Sequence, residues 1–262
     1  MGAPVADIEQ VRQGTRRILL TVGDLTDEQA AARSRLPGWT RAEVLTHLAR
    51  NADSQRHVLE AAVRGEPAER YPGGPQQRTG DIEAGAGRPA AALVDDVRRT
   101  IWQLEGAWPA VPAEGWELVG TSLGRPEPVA ELPFFRWREV EVHHVDLGLG
   151  YAPSEWPVGF VTRGLDDALR EMPGRATQSA PANAAVRLEA TDHDRAWIVH
   201  TGNDGAARVV ADVDGMASVD ATVTGWGCDL LAWLYGRDPT GGALTASGDI
   251  AALHLPEWFP YP

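Results

Sequence analysis

Cysteine is almost missing: Cys228 is the one thiol in 262 residues. That excludes an internal disulfide and any cysteine-built metal cluster, and it fits a reducing compartment. Long apolar runs are also missing. No stretch approaches the roughly 20 residues that a membrane-spanning helix needs. The first 17 residues carry no apolar core of the kind that directs export, so a cytoplasmic protein is expected, with no membrane association. Position 6 is Ala6 rather than Ser or Thr, which argues against N-myristoylation. Positive charge is scarce as well, and arginine carries it. Twenty-four basic residues face 37 acidic ones, for a formal net charge of −13. Polyanions are bound by neutralising phosphates, so no nucleic-acid partner is expected. What is present is ordinary globular material, 43% hydrophobic and 23% charged, sufficient for one large domain or two of ordinary size.

The first part of the chain reads as helices. Ile8, Val11, Ile18, Leu19 and Val22 recur at helical spacing. Thr40 is an N-cap candidate with Glu43 three residues on, the pattern of a capping box, and the helix it opens runs through Val44, Leu45, Leu48, Val58, Leu59 and Val63 to a stop at Gly65. Residues 66–87, with YPGGPQQRTG, read as a loop with at most a short helical turn. Leu93, Val97, Ile101, Trp102 and Leu104 carry a third long helix, residues 116–128 a turn-rich connection, and Val129 to Leu149 a fourth helix; 157–172 reads as one more. Four helices with a long crossover suggest an antiparallel bundle. After Pro181 the segments AAVRLEA, RAWIVH, ARVVADV and VDATVTG alternate β-formers between turn signals, and Trp226–Tyr235 reads as a helix. The expected fold class is therefore α+β, with a four-helix bundle over 1–175 and a small α+β domain over 180–262.

Of the seven histidines, those in RWREVEVHHVDLG stand apart. Glu139 and His143 are four residues apart on the predicted helix and share one face. Such spacing offers two ligands to one ion, or equally an i,i+4 surface pair. Asp146 lies near the same stripe and could orient a ligand. Glu141 and His144 point elsewhere, at about 200° from Glu139 and about 100° from His143. A third ligand must come from another helix. His47, among Val44, Leu45 and Leu48, is the natural candidate, its alternative being a buried core histidine. Two His and one Glu leave a coordination position open and favour zinc or another late divalent metal. Cys228, in the apolar helix WGCDLLAW, reads as a packed small hydrophobe rather than a nucleophile. Trp39, Trp137 and Trp226 read as core or pocket walls.

LPGWTRAEVLTHLARNA and WREVEVHHVDLG resemble the two signature segments of the mycothiol-dependent maleylpyruvate isomerases, within the DinB-like metal-binding helical-bundle superfamily. The order of parts is similar over nearly the whole chain. The resemblance implies that His47, Glu139 and His143 bind zinc and that mycothiol is the thiol cosubstrate. It also implies a substrate arginine in a G-R context at the end of the C-terminal helix, which falls on Arg237; a helix-end cation would look the same. His144 and the tail LPEWFPYP depart from the family pattern, which bears on substrate scope. The implied activity is cis-trans isomerisation of maleylpyruvate to fumarylpyruvate by thiolate addition, bond rotation and elimination. A mycothiol S-transferase using the same site and a non-catalytic metal-binding module are the alternatives.

Overall fold

A computed structural model of the chain describes residues 2–260 apart from 178, 204–205, 213–214, 216–217, 240–243, 250 and 252–253. It divides into two units, Met1–Tyr151 and Ala152–Pro262.

The first unit is built on α1 (Val5–Thr21), α3 (Arg41–Val63), α5 (Ala90–Ala107) and α6 (Leu132–Asp146), with a short α2 (Asp27–Ala31) between α1 and α3. The capping box at the start of α3 forms: the Glu43 N–H donates to Thr40 Oγ1 at 3.2 Å, and the Thr40 N–H to Glu43 Oε2 at 2.6 Å. Spacing of three and four residues gathers Ile18, Val44, Leu45, Leu48, Leu93, Val97, Ile101 and Val140 into one buried cluster. Each such side chain contributes about 1.5–3 kcal/mol by leaving water.

Two segments differ from the reading of the sequence. Residues expected to be mostly loop contain α4 (Gly74–Ala86), a thirteen-residue helix. Pro75 sits in its first turn, where proline is tolerated, and the helix formers Gln76, Gln77 and Arg78 follow it. A Cβ at Gly85 would lie 2.4 Å from Thr46 Cγ2, so glycine is what lets α4 close onto α3 there. The 116–128 connection holds a hairpin, β1 (Val119–Ser122) and β2 (Arg125–Pro128). Leu123 and Gly124 turn between them at φ +51° and +79°, the left-handed pair that a two-residue hairpin loop requires. α6 begins at Leu132, after a 3₁₀ turn over Val129–Glu131, and ends at Asp146 before Gly148 at φ +63°.

The second unit starts earlier than the expected 173–183 boundary, because α7 (Val158–Glu171) belongs to it. The physical reason is packing. α7 buries Phe160, Val161, Leu165 and Leu169, and a Cβ at its Gly164 would lie 2.7 Å from Leu231 Cδ2 of α8 (Gly227–Leu234). The sheet runs β5 (Ala207–Ala211), β4 (Arg195–Thr201), β3 (Ala185–Ala190), β6 (Ala221–Gly225), β7 (Thr245–Gly248) in spatial order. β3 and β6 are parallel and the other neighbours antiparallel. β3 alternates, burying Val186, Leu188 and Ala190. A one-turn helix, α9 (Leu255–Trp258), follows. Trp226, expected in the core or a pocket wall, is instead 60% exposed as the residue capping α8. The fold class is α+β, a helical N-terminal unit followed by a C-terminal sheet unit. Among the described residues no helix is long and apolar enough to cross a membrane.

Candidate metal centre

Register between α3 and α6 is set by a buried arginine. Arg136 Nη1 donates to Leu48 O at 2.9 Å and to Asn51 Oδ1 at 2.8 Å. Burial lowers its pKa to about 10, so it stays charged at neutral pH. One turn on from each end of that tie, His47 of α3 faces Glu139 of α6. His47 Nε2 is 2.8 Å and His143 Nε2 3.2 Å from Glu139 Oε2. One donor atom from each of the three lies within 4.8 Å of the others. The two imidazoles meet edge to face at 4.7 Å, and Trp39 stands edge-on to His47 at 5.7 Å.

The charge states suit a cation. Burial pushes His47 down to about 4, outweighing Glu139, so the ring is neutral and carries a lone pair at neutral pH. Burial would raise Glu139, but the two histidines hold its carboxyl well below the usual range. His143 moves the other way: burial lowers it, and Asp146 and Glu139 more than compensate. Asp146, itself buried, stands 2.8 Å from His143 Nδ1. That contact holds the proton on Nδ1 and turns Nε2 inward, as supporting carboxylates do around zinc histidines. Two imidazoles, one carboxylate and a carboxylate behind one imidazole therefore fit zinc or a similar late divalent ion.

Glu141 and His144 lie on another face of α6. Glu141 accepts from Arg17, from Trp137 Nε1 at 3.0 Å and from the Tyr151 hydroxyl. His144 stacks on Tyr151 at 3.9 Å and meets Thr21 Oγ1 at 2.8 Å.

In the second unit, Arg237 follows α8 in a Schellman arrangement. Gly236, at φ +70°, bonds Trp233 O at 2.9 Å, and the Arg237 N–H bonds Ala232 O at 2.8 Å. Arg237 Nη1 also donates to Tyr235 O at 2.6 Å. The Cys228 thiol is pushed up to about 11, by burial first and then by Asp229 and Asp192, so it stays protonated at neutral pH.

The sequence did not single out an arginine that stands beside the triad. Arg78 of α4 brings Nη2 to 3.2 Å from His47 Nδ1. The signal was weak, since YPGGPQ masks the helix that follows; Pro75 as a first-turn proline was the available clue.

A helical bundle presenting a partly buried His–Glu–His cluster, followed by a separate α+β unit, defines the class of protein. Residues 11–148 match the family described as mycothiol maleylpyruvate isomerase N-terminal domain, and residues 155–255 match the MDMPI C-terminal domain. The chain belongs to the mycothiol maleylpyruvate isomerase family. The fold is similar to that in crystal structures of a mycothiol-dependent maleylpyruvate isomerase and of its histidine-to-alanine mutant. Each has a TM-score of 0.76 and 22% identity, over 95% of this chain and 98% of that one. No curated protein gives a significant match.

Proposed function

We propose that the chain is a zinc- and mycothiol-dependent isomerase converting maleylpyruvate to fumarylpyruvate. The observation that carries this reading is the convergence of His47, Glu139 and His143 within 4.8 Å, in a chain of this family.

Maleylpyruvate is a cis alkene conjugated to a carbonyl. Isomerising it needs temporary loss of the double bond. A thiolate adds to an alkene carbon, and the electron pair moves into the carbonyl as an enolate. The former double bond then rotates as a single bond. Return of the electron pair expels the thiolate and leaves the trans product, so the thiol is regenerated. Free thiols ionise near pH 8.5, and a zinc ion held by the triad would supply the charge that ionises one at neutral pH. His47 and His143 offer Nε2, and Asp146 keeps the His143 proton on Nδ1. To Arg237 we assign, on the resemblance of its G-R context alone, the holding of a substrate carboxylate or the enolate oxygen.

The test follows maleylpyruvate spectroscopically with and without mycothiol. Thiol-dependent fumarylpyruvate formation with no loss of thiol is expected. A stable thiol adduct would make the protein an S-transferase, and inertness towards both would leave a metal-binding module. His143→Ala should remove zinc and turnover together while keeping helix content. Full zinc in both His143→Ala and His47→Ala proteins would sink the ligand assignment.

A further inference from the structure

Beside the triad, α3, α4 and residues 70–72 line a cavity of about 320 Å³, within the size range of small-molecule sites. Arg78 joins the two places: it lines the cavity and lies 3.2 Å from His47 Nδ1. Three arginines line this cavity, and two already face carboxylates. Arg50 Nη2 donates to both oxygens of Asp96 at 2.9 Å and meets Asp53 at 3.1 Å. Arg70 pairs with Glu127 at 2.8 Å and donates to Ser54 Oγ.

Arg78 differs. Among the described residues no carboxylate lies within 4.0 Å of its guanidinium. Its neighbours are neutral, namely the Tyr71 ring, 5.7 Å from Cζ to centroid, and His47 Nδ1. The acidic groups on the cavity do not neutralise it either. Asp53 is taken by Arg50, and Asp81 is exposed. The contact with His47 is also conditional. His47 turns Nε2 towards Glu139, so a cation held by the triad leaves the proton on Nδ1. An N–H and a guanidinium are both donors and cannot bond. A cation held by the triad would release that one contact, and Arg78 has no carboxylate partner among the described residues, so its fork suits a carboxylate ligand.

We propose that Arg78 anchors a carboxylate of the substrate in this cavity, and that the ligand class is a short-chain unsaturated organic acid dianion. The anchoring role rests on Arg78 and the cavity; that the acid is short, unsaturated and doubly charged rests on the isomerase reading.

The experiment uses the full zinc-loaded chain without thiol, with maleate as probe and uncharged dimethyl maleate as control. Calorimetry reads binding, and metal analysis reads zinc. Wild type should bind maleate and not the diester. Arg78→Ala should bind maleate about tenfold to a hundredfold more weakly at unchanged zinc content, with Arg78→Lys in between. Arg78→Gln repeats the comparison should the alanine variant fold poorly by circular dichroism. Equal maleate affinity in wild type and variants overturns the proposal, as does absence of binding to wild type. Loss of zinc from Arg78→Ala also overturns it, since Arg78 would then be a support for His47. Lack of isomerase turnover by wild type would sink the isomerase reading while leaving the binding comparison valid.

Discussion

At the scale of single residues, position on α6 separates a histidine of the His–Glu–His cluster from a packing one. His143 and His144 are neighbours in sequence and about 100° apart around the helix. One meets Glu139 and His47; the other stacks on Tyr151 and bonds Thr21. Asp146 then decides which nitrogen of His143 faces inward. Asp146→Ala is expected to weaken zinc binding about tenfold to a hundredfold, because the imidazole loses the partner that fixes its tautomer and angle. A chelator competition on the purified variant reads this directly. Wild-type affinity would show that Asp146 only fills space.

At the scale of elements, one carboxylate ties the segment between α3 and α4 to the β1–β2 hairpin, alongside backbone bonds from the Arg70 N–H to Thr121 O and from the Thr121 N–H to Ala68 O. Glu69 accepts from Thr121 Oγ1 at 2.7 Å, from the Tyr71 N–H at 3.0 Å and from the Leu123 N–H at 2.8 Å. It thereby pins the β1–β2 hairpin and the start of the stretch that carries Arg70 and Tyr71. Burial would raise its pKa, but these hydrogen bonds outweigh burial and bring it to about 2. The folded value lies below the unfolded one. The stabilisation is therefore complete above about pH 4.5 and is lost as pH falls through about 2. Glu69→Ala should cost about 1 kcal/mol at pH 7, allowing for solvent screening of a half-buried group. Denaturant unfolding of both proteins at pH 7 and pH 3.5 should show the gap narrowing in acid. A gap independent of pH would mean that the charge is irrelevant and that only shape matters.

At the scale of the whole molecule, the triad and Asp146 belong entirely to the first unit, while Arg237 belongs to the second. Metal retention and turnover should therefore be separable. Arg237→Ala should keep zinc and fold yet lose about 10²- to 10³-fold in turnover, the cost of about 3–4 kcal/mol for one contact that strengthens in the transition state. A helix-end cation would instead cost a few tenths of a kcal/mol of stability and leave turnover intact. Zinc content, Tm and turnover on one preparation distinguish the two outcomes, and near-normal turnover rejects the catalytic role.

Much of this protein is determined by local pattern. The capping box at Thr40, the heptad-like apolar spacing of α1, α3 and α5, the alternation in β3 and the i,i+4 placement of Glu139 and His143 all depend on neighbours in the chain. Other features depend on partners far away in sequence. α7 carries the pattern of another bundle helix, yet its apolar face is complementary to Leu231, and periodicity says that a face is buried without saying against what. α4 forms in a glycine- and proline-rich stretch because Ile82 is buried and Gly85 fits against Thr46, gains that propensity does not record. That packing also brings Arg78 to His47, 31 residues away in the chain, while Arg136 brings Glu139 to it across 92. Residue type and helix face were local information; which faces meet was decided by packing.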